Sequence, residues 1–460
     1  EHLLFLFNWL MDPMLAFVNR ECKIIVPSLD QNLFTSLASI LESVIDEEIG
    51  VGDDDDDERK TNGKEITKDN LEAAFMFALV WSVGVVTDDD GRVKCDYFLR
   101  AFVGSNMVQS EYPGVHTQLL LRKWTPPEFP DGGAWGKMKK GLPKDDSIYD
   151  SMFVCSTGKW IHWLETVKKI DIPETASFSS IVVPTTTTAQ LEYLLRLLLT
   201  HGKPTLVVGP TGTGKSVFVN QVLTSVLSQD KYKTINVNFS AKTSANQAQG
   251  IIDGKLGKRR KGVFGPSPGE KAVVFVDDLN MPEVQEYGAQ PPIEILRQLM
   301  GHGGWYDLDE MTIKKIEDTQ IVAAMGPPGM GGGNHVTPRF IRFFNIIGIT
   351  EFDEGTLSRI FTTICDWYCK TSGVAQDVIS VYRNVVKGSL AVYHAAQNEL
   401  RPTPLKSHYT FNLRDFSKTI QGMLLVKPYE GFDGRACVRL WVHEANRVFS
   451  DRLVSLEDQE

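Results

Sequence analysis

The chain has 460 residues, enough for about three domains of ordinary size, and its 42% hydrophobic and 23% charged residues are the mixture of a globular protein. Its longest apolar runs are too short to span a bilayer, and no secretory leader is visible. A net charge of −10 argues against bulk electrostatic binding of nucleic acid or acidic polymers. The chain opens at Glu1 inside an apolar periodic stretch (Leu3, Leu4, Leu6, Phe7, Trp9, Leu10), which reads as a piece of a longer protein. Its cysteines are Cys22, Cys95, Cys155, Cys365, Cys369 and Cys437. None forms a CxxC pair, and the usage fits a reducing compartment. Cys365 and Cys369 stand one helical turn apart, but without neighbouring ligands they read as buried packing rather than a metal site.

In chain order, residues 1–105 read as helical, with helix-period apolar spacing over 33–45 and 71–86. Between them Asp53, Asp54, Asp55, Asp56, Asp57 and Glu58 repel one another and predict a solvated loop; a Ca²⁺ site would need spaced ligands and a glycine turn. Residues 106–180 change character. Trp124, Pro126, Pro127, Pro130, Gly132, Gly133 and Trp135 crowd together, and short apolar runs follow at 151–155 and 160–164. This predicts a connector with short strands packed on its neighbours, the tryptophans serving as anchors.

Residues 181–352 alternate strand and helix signals, which predicts a parallel sheet covered by helices. Its centre is Gly209-Pro210-Thr211-Gly212-Thr213-Gly214-Lys215-Ser216, a complete GxxxxGK[ST] phosphate-binding loop. A strand-like run precedes it at 205–208, and a helix-like run follows at 217–227. Glycines let consecutive backbone N–H groups curl inward as an anion nest, and the following helix adds its positive dipole end. Lys215 is placed to reach the β- and γ-phosphates, and the Ser216 hydroxyl to ligate Mg²⁺. Further on, 234–239 alternates as a strand, and Ser244 with Gln247 has capping-box spacing. Lys258-Arg259-Arg260-Lys261-Gly262 reads as a solvated hairpin tip.

The continuous apolar run 272–276 suits a strand buried on both faces and ends in Asp277-Asp278. About 60 residues after a phosphate loop, such an ending predicts Asp277 as a Mg²⁺ ligand and Asp278 as a water-activating carboxylate. A further buried strand at 319–325 runs into the glycine-rich, mobile-looking stretch Gly326 to Asn334. Pro338-Arg339-Phe340-Ile341-Arg342 and a strand at 343–349 complete this core. From 353 to 460 the pattern is helical again, with runs at 357–369, 378–396, 413–426 and 436–453, broken by Pro402 and Pro404, as a helical lid would be.

With these pieces placed, the chain resembles an AAA+ ATPase module, and more narrowly a dynein heavy chain of the axonemal branch. The segments that carry the resemblance are the phosphate loop, VVFVDDLNMP at 273–282, YGAQPPIEILRQ at 287–298, PTPLKSHYTFNLRD at 402–415 and LWVHEANRVFSDR at 440–452. It is dense over 180–455 and looser before. The resemblance implies the third AAA+ module of a six-module ring: 1–105 as the lid of the preceding module, 106–180 as connector, 181–352 as the α/β nucleotide-binding core and 353–460 as the module's own lid. It implies that Val182 and Val183, within Ile181-Val182-Val183-Pro184, lie against the adenine. Arg414 matches the sensor-II arginine. Arg339, with Arg342 as competitor, matches an arginine finger that serves the preceding module's nucleotide.

Two positions depart from the AAA+ pattern. Asp278 replaces the usual Glu and is one methylene shorter, and Gly326 stands where sensor I usually has an Asn. A displacement of about 1 Å costs on the order of a hundredfold in rate, so both changes weaken hydrolysis more than binding. The resemblance therefore implies ATP or ADP with Mg²⁺ as ligands, slow hydrolysis, and regulation of a main ATPase module elsewhere in the ring. The alternative is a module that holds ADP as a structural wedge without a catalytic cycle. Implied partners are neighbouring AAA+ modules of the same heavy chain, and, through other parts of the molecule, light and intermediate chains and microtubules, in the cytoplasm and ciliary or flagellar axoneme. A nucleic-acid translocase fits poorly with the acidic balance.

Overall fold

Apolar residues at helical spacing set the N-terminal region into α1 (His2–Glu21), α2 (Asp30–Ile49), α3 (Lys68–Leu79) and α4 (Asp89–Val103). The structure is a computed structural model that describes residues 1–49, 66–103, 142–143, 146–167, 172–178, 181–308, 310–329, 332–429 and 431–459. The acidic run at 53–58 and the stretch holding Trp124 and Trp135 lie outside the described residues, as do Met330 and Gly331 of the glycine-rich loop. The expected single helix over 71–86 instead ends at Leu79 and passes into a π-helical turn, Val80–Gly84. That turn buries Trp81 edge-on against Trp163 at 5.9 Å and Tyr149 at 6.1 Å.

Residues 151–166 form the antiparallel pair β1 (Ser151–Val154) and β2 (Lys159–His162), then a single turn, α5 (Trp163–Thr166). The core follows as α6 (Thr186–Thr200), β3 (Thr205–Val208), α7 (Lys215–Gln221), β4 (Tyr232–Asn238), α8 (Ala245–Asp253), β5 (Gly257–Arg260), β6 (Val263–Gly265) and β7 (Lys271–Asp277). It continues through α9 (Pro291–His302), β8 (Gly304–Tyr306), β9 (Ile313–Ile316), β10 (Thr319–Met325), α10 (Pro338–Ile341) and β11 (Asn345–Gly348). Five strands form a parallel sheet in the order β11-β3-β10-β7-β4. The inner strands β3, β10 and β7 are covered on both faces, which is why they read as unbroken apolar runs.

A second sheet, β5-β6-β9-β8, is built from two segments, 257–265 and 304–316. The β5–β6 hairpin was legible in sequence, but Arg259 pairs with Asp318, and Arg260 Nη2 lies 3.0 Å from Glu317 Oε1, so the basic run is partly neutralised. The helix expected over 217–227 is α7 followed by a π-helical turn, Val222–Val226.

Contacts divide the chain into two compact units. The first holds residues 1–166, 189–210 and 214–350 and so joins the N-terminal helices to the sheet. There α2 lies along β11, Asn32 Nδ2 donates to Phe344 O at 3.3 Å, and Arg196 Nη1 lies 2.6 Å from Glu47 Oε1. The second unit, residues 167–188, 211–213 and 351–460, is helical. It contains α11 (Glu354–Ser372), α12 (Gln376–Glu399), α13 (Leu413–Leu425) and α14 (Gly434–Val448). Tyr382, Val386, Phe416, Ile420 and Cys437 fill its centre. The last helix was expected to reach 453 but stops at Val448, followed by a 3₁₀ turn, Ser450–Arg452. Cys365 and Cys369 are buried in this core. Desolvation pushes the Cys369 thiol up to about 12 and Cys437 to about 11, and raises Cys365 as well. Among the described residues no group of three or more His, Cys, Asp or Glu side chains could hold a metal ion, and no helix is long and apolar enough to cross a membrane.

Candidate functional site

The register of the parallel sheet decides which residues share its carboxyl end. Met325 pairs with Val208, and Val276 with Ala323, so the chain leaves β3, β10 and β7 at nearly the same level. The phosphate loop after β3, Gly326 after β10 and the acids ending β7 therefore lie at one end, where open α/β sheets bind ligands.

Two glycines of the loop are required by their surroundings. A Cβ at Gly209 would lie 2.7 Å from Ile349 O, so only glycine lets the loop leave β3 beside the chain that follows β11. Gly214, at φ +77°, caps α7 in the left-handed region that favours glycine. The half-buried Lys215 donates from Nζ to Gly209 O at 2.7 Å and Pro210 O at 2.6 Å, which holds the ammonium inside the curl of its own loop. Ser216 follows in the first turn of α7 and is half-buried; its hydroxyl makes no hydrogen bond to any described residue. Thr211, Gly212 and Thr213 are grouped with the second unit; Gly212 has φ +94° and Thr213 is buried.

Asp277 ends β7 half-buried, and its Oδ1 accepts from Asp278 N at 3.0 Å. Its other carboxylate oxygen has no partner among the described residues. A free hydroxyl on Ser216 and a free carboxylate oxygen on Asp277 form the hard-oxygen donor set that Mg²⁺ takes, so the residues present fit that ion. Asp278 is exposed and has φ +53°. Aspartate is among the few non-glycine residues that tolerate this region. Asp278 O then accepts from Met281 N at 3.0 Å, closing a turn.

That turn delivers a residue that sequence reasoning missed. Asn280 is 2% exposed, and its Nδ2 donates to Gly326 O at 3.0 Å. Asn334 N in turn donates to Asn280 O at 2.8 Å, and Asn334 Nδ2 to Pro282 O at 2.9 Å. The Asn280 carboxamide thus ties the turn after β7 to the start of the loop after β10, and its backbone carbonyl ties it to the finish. Asn280 stood inside the VVFVDDLNMP segment, but nothing in its spacing said that it would turn inward.

Arg92 was also missed, because an arginine in an amphipathic helix carries no signal. Its guanidinium is buried over the Tyr149 ring at 5.2 Å, and Nη2 donates to Gly348 O at 2.7 Å. Burial pulls its pKa below the ordinary range. One residue on, Ile349 N donates to Val208 O at 2.6 Å, next to Gly209. The N-terminal helices therefore hold the strand that backs the phosphate loop.

Arg339 sits on α10, exposed and without a side-chain partner among the described residues. Arg342 lies over the Phe343 ring at 5.0 Å. The remaining candidates belong to the second unit. Val182 is half-buried, and Val183 is buried among the lid's apolar residues. Arg414, in the first turn of α13, is exposed with no side-chain partner among the described residues. Its turn is held firmly: Asn412 Oδ1 accepts from Arg414 N at 2.9 Å, and Asp415 Oδ2 accepts from Asn412 N at 3.2 Å. The buried Asp415 also meets Arg452 Nη1 at 3.1 Å, a support that sequence reasoning had not named.

Residues 3–165 match the family described as dynein heavy chain AAA lid domain, 170–352 the P-loop containing dynein motor region, and 360–459 the dynein heavy chain ATPase lid domain. The chain is 42% identical over 463 residues to dynein axonemal heavy chain 12 of Rattus norvegicus, covering 99% of this chain and 14% of that protein. It is 40% identical over 464 residues to dynein axonemal heavy chain 3 of Homo sapiens, covering 99% of this chain and 11% of that one. It is 38% identical over 475 residues to dynein axonemal heavy chain 1 of Homo sapiens, again covering 11% of that protein. The chain thus spans between about a tenth and a seventh of the length of these curated relatives. A dynein lid, a dynein P-loop region and a second dynein lid follow one another along it, on a sheet whose loop and acids share one end: the chain belongs to the dynein heavy-chain family.

Proposed function

We propose that this chain is the third AAA+ module of an axonemal dynein ring, preceded by the lid of the second, and that it binds ATP with Mg²⁺, hydrolyses it slowly and gates the main ATPase module elsewhere in the ring. The domain plan is the one read from sequence: 1–105 preceding lid, 106–180 connector, 181–352 core, 353–460 lid. The observation that carries the reading is the grouping at one sheet end of a curled phosphate loop, the Ser216 hydroxyl and one Asp277 carboxylate oxygen, the last two without a partner among the described residues.

Backbone N–H groups of residues 209–216 cradle the phosphates, and Lys215 exchanges its bonds to Gly209 O and Pro210 O for phosphate oxygens. Ser216 and Asp277 would hold Mg²⁺, and the bound ion would supply positive charge to the β- and γ-phosphates. Asp278 orients water, Arg414 reads the γ-phosphate from the lid, and Val182 and Val183 contact the adenine. Arg339 serves the preceding module's nucleotide; its guanidinium, without a side-chain partner among the described residues, favours it over Arg342, which lies on Phe343. Microtubules and light and intermediate chains are met by other parts of the longer protein, in the axoneme of a cilium or flagellum.

A second reading, a module that keeps ADP as a wedge, is favoured by one observation: Gly326 offers no side chain, and its carbonyl is already bonded to Asn280. Equilibrium binding of fluorescent ATP and ADP, with and without Mg²⁺, tests both. Tight Mg²⁺-dependent ATP binding that Lys215→Ala weakens at least a hundredfold is the expected result. Retained ADP that never exchanges points to the wedge. A folded chain that neither binds nor retains nucleotide overturns both.

A further inference from the structure

Cys22 and Cys95 meet at a place that nucleotide binding does not use. Cys22 ends α1 with extended backbone, its N–H donating to Val18 O, and it is half-buried; Cys95 lies inside α4 and is buried. Their sulfurs are 3.9 Å apart, and Cys22 Sγ also lies 3.7 Å from Gly91 O. The chain after Cys22 is pinned along the segment that enters α4. Ile25 N donates to Val86 O at 2.7 Å, Asp88 N donates to Lys23 O at 3.1 Å, and Ile24 bridges Thr87. Backbone pairing between the chain that leaves Cys22 and the chain that enters α4 therefore brings the two residues together. A disulfide needs a separation of about 2.05 Å, so the sulfurs must close by roughly 1.9 Å, within reach of side-chain rotation at a helix end.

We propose that Cys22 and Cys95 are a peroxide-sensitive thiol pair that closes to a disulfide, stapling the end of α1 to α4. Cys22 is the only cysteine that is not buried, so it meets the oxidant. Its thiolate attacks a peroxide oxygen, the O–O bond breaks, and Cys22 becomes a sulfenic acid with release of water or an alcohol. The Cys95 sulfur then attacks the Cys22 sulfur, hydroxide leaves and takes up the Cys95 proton as a second water, and the S–S bond forms. Two thiols are oxidised by two electrons, and one peroxide is reduced. Contact with Cys22 and burial hold the Cys95 thiol well above its ordinary range, which makes it the resolving sulfur and not the first to react. On α4, Cys95 stands one turn after Arg92, the side chain that reaches Gly348 O.

The test treats the folded 460-residue chain with hydrogen peroxide, blocks remaining thiols with N-ethylmaleimide and maps the products by mass spectrometry. The expected product is a Cys22–Cys95 cross-linked peptide, at more than half occupancy, that dithiothreitol reverses. In Cys95→Ser the expected product is Cys22 carried on to sulfinic acid, with no cross-link. If wild type instead accumulates Cys22 sulfinic acid, or links Cys22 to another cysteine, or forms the 22–95 link only in denaturant, the proposal is wrong. The wild-type outcomes are decisive even should the variant fold poorly.

Discussion

Asp278 holds two demands in one residue. Its φ of +53° closes the turn after β7, a conformation that costs an L-residue about 1 kcal/mol and that Asp bears better than Glu. The turn in turn aims Asn280 at Gly326. Local backbone chemistry thus accounts for a short acid at a position where AAA+ proteins use a longer one. Asp278→Glu is expected to lower the unfolding free energy by a few tenths to about 1 kcal/mol in urea titrations, and to raise turnover at this site in a full-length ring by restoring the missing methylene. Unchanged or lower turnover would mean that the carboxylate's reach is not what limits hydrolysis.

At the scale of elements, the lid shows how capping and ion pairs set the ends of helices. Asp353, Asn412 and Asp433 cap α11, α13 and α14, each accepting from the first turn. At the C-terminus, Lys406 Nζ, Ser455 Oγ and Tyr409 OH converge on Asp458, holding its carboxyl down at about 2. A depressed carboxylate contributes stability above its unfolded pKa, about 3.9, and loses it as the pH falls toward the folded value. Between about pH 4 and pH 2 the turn Leu456–Gln459 is therefore expected to release from the 406–409 segment, seen as rising amide hydrogen exchange at 455–459 before the lid helices open. Unchanged protection at 455–459 across that window would contradict it.

At the scale of the molecule, the N-terminal helices and the sheet share one unit, and the seam between them is tight at Gly348. A Cβ there would lie 2.2 Å from Val85 O, while Arg92 donates to Gly348 O from the same side. Gly348→Ala must push β11 away from the π-helical turn and disturb the strand beside the phosphate loop. The expected cost is about 3 kcal/mol, at the upper end for overpacking because the obstacle is backbone, with ATP affinity falling in a still folded protein. An unchanged melting temperature would show that the seam yields without cost.

The phosphate loop, the buried strand ending in Asp277, the capping box at Ser244 and the four lid helices were legible in the sequence, because each rests on local spacing or on an uninterrupted apolar run. The helical period also announced α3 and α7, but not the π-helical turns that end them, since one extra residue in a turn leaves the apolar pattern nearly unchanged. The short strands β8 and β9 were invisible because three or four mixed residues carry no period. What only the tertiary structure decided is which distant residues meet. Parallel register brings residues 209, 277 and 326 to one end of the sheet. The reach of Arg92 from α4 to Gly348 O makes it a support of the phosphate loop's strand, and chain pairing at 23–25 with 86–88 sets Cys22 beside Cys95. Those meetings depend on non-local contacts, whereas composition and period report only on a residue's near neighbours along the chain.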